Sequence, residues 1–165
     1  MRSCEYSTTP KWEDKCTCIL QKGNIRFSRK CRELSHASGI LHLADKVSPV
    51  FCTQKNGVKK ATVTQWRTIT TLCPVRIWAE IIIRLESYLG KKRDTPVNTV
   101  WVGRQKTTIT SQMTTNSLRA GTLYFGEERL GLSHKEVGTH SIRSEFAMEL
   151  YLAKVYPETI MIVGR

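Results

Sequence analysis

Long apolar runs are missing from this chain of 165 residues: no hydrophobic stretch approaches the roughly 18 residues that a membrane-spanning helix needs. It does not open on a basic segment followed by an apolar one, as a secretory leader would. Internal repeats and low-complexity tracts are absent as well, which sets aside solenoid and fibrous architectures. The cysteines Cys4, Cys16, Cys18, Cys31, Cys52 and Cys73 form no C-x-x-C pair, and His36, His42, His134 and His140 do not stand at zinc-finger distances from them. No structural metal is therefore expected, and the thiols are expected to be reduced and mostly buried in an intracellular protein.

Acidic residues are scarce, 14 against 26 Lys and Arg, which leaves a net charge of +12. Such an excess fits a polyanionic partner. It is also uneven, since residues 1–106 carry 20 basic and 8 acidic side chains whereas residues 107–165 carry 6 of each. With 40% hydrophobic and 24% charged residues the composition is that of a globular domain large enough to fold on its own core.

Patterning predicts a mixed α+β fold, mostly helical with a small antiparallel sheet. β-rich runs at 17–20, 25–27, 47–53 and 61–66 are separated by turn residues, and Lys55-Asn56-Gly57-Val58-Lys59 reads as a hairpin because Asn-Gly is the strongest short turn signal. Pro74 opens a helix in which Val75, Trp78, Ile82, Leu85 and Leu89 recur at helical spacing until Gly90, while Arg76, Glu80 and Arg84 mark a solvated face with i,i+4 pairs. Residues 100–102 and 107–109 are expected to form a short hairpin around Gly103. Helices are expected at 111–125, with Met113, Leu118 and Leu123 on the apolar side, and from about 140 to 155, with Ile142, Phe146, Ala147, Leu150 and Tyr151 inward. Tyr156-Pro157 breaks that helix and 159–163 starts another. The sheet is expected to pack on the helices at 74–89, 111–125 and 140–155 within a single domain.

At the start of the third of these helices, His140 and Arg143 are three residues apart and share one face. An imidazole and a guanidinium together suit a phosphodiester, because arginine forks two nonbridging oxygens and histidine moves a proton near neutral pH. A helix-capping histidine beside a surface arginine would leave the same pattern.

The surroundings single the pair out. The segment Thr139-His140-Ser141-Ile142-Arg143-Ser144, then Phe146-Ala147, then Thr159-Ile160-Met161-Ile162-Val163-Gly164, resembles box II of the tyrosine recombinases, the phage-integrase class of DNA breaking and rejoining enzymes. That family writes T-H-x-x-R-H/S-x-F-A followed by I-x-x-x-L-G and a His or Trp; here Val163 replaces the leucine and Arg165 follows the glycine. Arg2-Ser3-Cys4-Glu5 is similar to its box I, and Gln54-Lys55-Asn56-Gly57-Val58-Lys59-Lys60 to the hairpin that presents its catalytic lysine.

The resemblance implies an integrase-like catalytic core whose partner is double-stranded DNA, acting without cofactor, in the nucleus if the source is eukaryotic. Arg2 and Arg143 would hold the nonbridging oxygens, Lys55 would protonate the leaving 5′-oxygen, and His140 would assist proton transfer at the nucleophile. Lys59 and Lys60 are rivals for the lysine and otherwise phosphate contacts. The helical core-binding domain and the C-terminal segment with the tyrosine nucleophile are not found within residues 1–165, and Tyr151 and Tyr156 read as packing residues. The chain is thus expected to be a truncated core, inactive as given, with the family's tetramer possible only if that segment were present. Two alternatives stand beside it: a non-catalytic DNA-binding module derived from a recombinase, and a basic RNA-associated protein, the latter weakened because Trp12, Trp66, Trp78 and Trp101 are scattered.

Overall fold

From Ile25 the chain alternates apolar and polar side chains, and it forms a strand that buries Ile25 and Phe27 while Arg26 faces solvent. The computed structural model describes residues 19–53, 59–89 and 92–163. In it β1 (Ile25–Arg29) joins β2 (Arg32–Leu34), β3 (Lys46–Thr53), β4 (Lys59–Thr62) and β5 (Gln65–Trp66) in an antiparallel sheet ordered β2-β1-β3-β4, with β5 also on β3. The architecture is α+β, helices combined with small antiparallel sheets.

The eight residues of β3 hold the sheet together. One edge pairs with β1, Val47 opposite Phe27, and the other pairs first with β5, Lys46 opposite Trp66, and then with β4, Phe51 opposite Ala61. The single strand expected over 61–66 is therefore two strands, interrupted at Val63 and Thr64. Pro49 explains the interruption: it has no N–H to give, so at this position the Pro49 carbonyl only accepts from the Val63 amide, at 3.1 Å. Ile19 and Leu20 are not in a strand, against expectation, and residues 17 and 18 lie outside the described ones. Leu20 is nevertheless buried, its carbonyl accepting from the Val97 amide at 3.0 Å.

Between β1 and β2 a two-residue turn places Lys30 at φ 46° and Cys31 at φ 62°, with Arg29 opposite Arg32. This hairpin was not expected, since left-handed turn pairs favour Asn and Gly. A tertiary contact compensates: the Lys30 amide donates to Asp45 Oδ2 at 2.6 Å.

Helix α1 (Pro74–Leu89) has the expected bounds, and Val75, Trp78, Ala79, Ile82 and Leu85 form its buried stripe against β3, β5 and the 3-10 turn Leu41–Leu43. Trp78 satisfies its indole N–H on Gln65 Oε1 at 3.0 Å. On the other face Arg76, Glu80 and Arg84 are spaced for ion pairs, yet none forms, and Arg84 Nε is buried without a partner. β6 (Thr99–Val102) and β7 (Gln105–Thr108) make the second hairpin, turning through Gly103 at φ 60°, a left-handed conformation that favours glycine.

The chain divides into two compact units, residues 1–109 and 110–165. Every buried hydrophobic residue among the described ones lies in the first, from Leu20 to Val97. The second holds α2 (Ser111–Phe125), α3 (Glu127–Leu130), the 3-10 turn His134–Glu136, α4 (Thr139–Leu152) and α5 (Pro157–Val163). Thr110 caps α2 by accepting from the Met113 amide at 3.2 Å, and Gly126 at φ 90° separates it from α3.

Two expectations about burial need correcting. Ile142, Phe146 and Tyr151 on α4 are exposed at 52%, 52% and 63%, as are Met113 and Leu123 on α2. On α4 the physical reason is that Phe146, Met148, Leu150, Tyr151 and Leu152 lie all round the helix rather than along one stripe, so no single orientation buries them. Of the described cysteines only Cys73 is buried, whereas Cys31 and Cys52 are exposed.

Candidate nucleic-acid interface

His140 and Arg143 occupy the first turns of α4, beginning one residue after its start at Thr139. Both are exposed, and neither makes a hydrogen bond or ion pair with any described residue. Three-residue spacing sets their Cβ atoms roughly 5–6 Å apart on one face, near the positive end of the helix dipole. A guanidinium that can fork an oxyanion and an imidazole that can bond one are thus neighbours on the helix surface.

The chain before α4 is fixed by residues that sequence reasoning passed over. Arg119 on α2 donates from Nε to the Val137 carbonyl and from Nη2 to the Lys135 carbonyl, both at 3.1 Å. Glu127 Oε1 accepts from Ser133 Oγ at 3.0 Å, from the His134 amide and from His134 Nδ1 at 2.7 Å. The His134 amide, the His134 ring and Ser133 together hold the Glu127 carboxyl at about 2, well below its usual 4.5. Ser133 and Glu136 close a reciprocal cap, the Ser133 amide donating to Glu136 Oε2 at 3.0 Å, and the Gly138 amide donates to Ser141 Oγ at 3.1 Å. The Ser133-x-x-Glu136 spacing is the one signal in the sequence that marks this segment. Nothing in the sequence marks Arg119 or Glu127, which act through contacts between elements.

Lys55 and Arg2 lie outside the described residues, so the expected convergence of Arg2, Lys55, His140 and Arg143 does too. The strands flanking Lys55 pair antiparallel as the hairpin reading requires, with Thr53 opposite Lys59. Lys59 sits in β4, and Lys60 beside it is exposed at φ 55°.

The solvent face of the sheet in the first unit carries the cations Arg26 and Lys46 and the acid Glu33, opposite Ser28. Arg26 stands opposite Ser48 and Lys46 opposite Ser28, while Lys46 Nζ lies 5.4 Å from the ring centre of Trp66, which is 63% exposed. Elsewhere, Cys73 precedes α1 with its thiol buried. Burial pushes that thiol up, but hydrogen bonds from Thr68, Arg76 and Val75 outweigh it and bring it from 9.0 to about 7. Among the described residues no three His, Cys, Asp or Glu side chains are grouped to hold a metal, and no helix is long and apolar enough to cross a membrane. Comparison of the chain with protein-family models, with curated proteins and with solved structures finds no match.

Proposed function

We propose that this chain binds duplex DNA as a catalytic core of the tyrosine-recombinase type, with His140 and Arg143 on one phosphodiester. The observation that carries the reading is the pair itself: a histidine and an arginine, exposed and unpartnered, on the first turns of a helix whose lead-in is fixed by Arg119 and Glu127. Arg2 and Lys55 complete the set on the strength of the family resemblance, and Lys59 and Lys60 extend the phosphate contacts. In that chemistry the phosphoryl transition state gathers negative charge, which preorganised cations stabilise more than the ground state.

A second reading, a DNA-binding module without chemistry, is favoured by the charge: net +12 over residues 1–109 and zero over 110–165. Both readings predict affinity for duplex DNA that falls steeply with salt and depends little on sequence. Fluorescence anisotropy over a salt series checks this, with single-stranded RNA as competitor. Arg143→Ala should weaken binding only modestly, one phosphate contact among many being lost. Salt-insensitive binding, none, or a preference for the RNA would refute the DNA assignment.

A further inference from the structure

The β1–β2 hairpin carries cations where its strands have so far carried core. Ile25 and Phe27 point to the buried face of the sheet, and two residues on, at the same pleat phase, comes Arg29; in β2, Leu34 opposite Phe27 is preceded at the same phase by Arg32. Arg29 and Arg32 are direct cross-strand partners at the turn. With Lys30 and Leu34 they line a shallow concavity that is largely open to solvent.

Like charges opposite each other on an antiparallel pair destabilise it, and no ion pair among the described residues offsets them. None of the three cationic side chains forms an ion pair or hydrogen bond with a described residue. Asp45, just before β3, reaches the turn, where its Oδ2 accepts from the backbone amide of Lys30. Asp45 is itself tied into the fold, its amide donating to the Ser28 carbonyl at 2.9 Å and its carbonyl accepting from the Arg67 amide at 2.8 Å. The turn is thus held in its left-handed conformation by the body of the unit. Protection of an edge strand accounts for charge on β2, but Arg32 or Glu33 alone supplies that, and it gives no reason for Arg29 opposite Arg32 around a hollow.

We propose that Arg29, Lys30 and Arg32 form a phosphate-binding fork, a second grip on the DNA backbone separate from the His140–Arg143 pair. The source of phosphate rests on the duplex-DNA reading. Two guanidiniums on cross-strand partners of one hairpin suit adjacent phosphate oxygens. The partner is chosen by phosphate geometry rather than base sequence, since the fork offers donors to the backbone.

The test measures the salt dependence of duplex-DNA binding for Arg29→Ala/Arg32→Ala and, for comparison, Arg76→Ala/Arg104→Ala, whose side chains are exposed outside the concavity. The fork predicts that the slope of log K against log salt falls by about 2 in the first variant, near 0.9 for each phosphate released, and by less than half as much in the second. An unchanged slope, or equal losses in both, overturns the fork and leaves the DNA reading standing. If the wild-type chain does not bind duplex DNA, that reading fails on its own. The fork is then decided by nuclear magnetic resonance of the wild-type chain with inorganic phosphate: saturable shifts of the Arg29 and Arg32 Nε–H signals support it, and their absence overturns it.

Discussion

Residues 1–109 and 110–165 solve the problem of staying folded in different ways. The first unit folds β1, β3 and α1 around Ile25, Phe27, Val47, Val75, Ile82 and Leu85, all at 1% exposure or less, and it carries the whole of the net charge. The second has one buried residue among those described, Thr122, no net charge, and many large apolar side chains facing solvent. What orders its segment 133–138 is a set of polar bonds: Arg119 on two carbonyls, Glu127 on Ser133 and His134. Hydrophobic burial is non-directional and accumulates with area, whereas such bonds act locally and contribute about 1 kcal/mol each, so the first unit's stability is collective and the second's is local. This suits their proposed roles, a basic body that grips the DNA backbone and a short helical unit that must set two side chains accurately.

The difference is broken most sharply by matched phenylalanine truncations. Phe27→Ala should cost about 3–5 kcal/mol, because a fully buried ring leaves a cavity in the sheet core. Phe146→Ala, at a half-exposed position, should cost less than about 1 kcal/mol. Urea denaturation of the two variants measures both, and equal losses would erase the distinction between the units.

Ion pairs sharpen it next. Lys22 is 1% exposed and its Nζ meets Glu86 at 2.8 Å, whereas the partners His134 and Glu127 are 29% and 40% exposed at 2.7 Å. Glu86→Ala leaves a buried ammonium short of its carboxylate and should cost about 3 kcal/mol, while Lys22→Met, which removes the charge and keeps the length, should cost clearly less. A double-mutant cycle read by denaturation gives the coupling, and a larger loss for Lys22→Met would contradict this ranking.

The smallest effect is a pH dependence that rests on Glu127 in the second unit. Glu127 titrates at about 2 in the folded chain against 4.5 ordinarily, so its contribution is present in full above pH 4.5 and is lost as pH falls towards 2. Circular dichroism between pH 5 and 2 should therefore show an acid-dependent loss of helix that is reduced in Glu127→Gln. An identical acid profile in the variant would assign the loss to other carboxylates.

Much of the fold was written in local pattern. The bounds of α1 and α2 follow from Pro74 and from apolar spacing, the β6–β7 turn from Gly103, and the strands flanking Lys55 from alternation ending at Asn56-Gly57. The pairing of His140 with Arg143 on one helix face was equally legible, since helical period alone dictates it. Arg119 and Glu127 were not, because their partners lie 16 to 18 and 6 to 7 residues away in elements whose approach no local rule supplies.

The sequence by itself determined the elements that depend on neighbours in the chain: helical period, proline and glycine punctuation, and the concentration of charge before residue 107. Only the tertiary structure decided which apolar positions are buried, why β4 and β5 part opposite Pro49, and how Asp45 holds Lys30 and Cys31 in a left-handed turn that their side chains disfavour. The reason is physical: propensity and period act within a few residues, whereas burial and pairing depend on which distant segment arrives alongside.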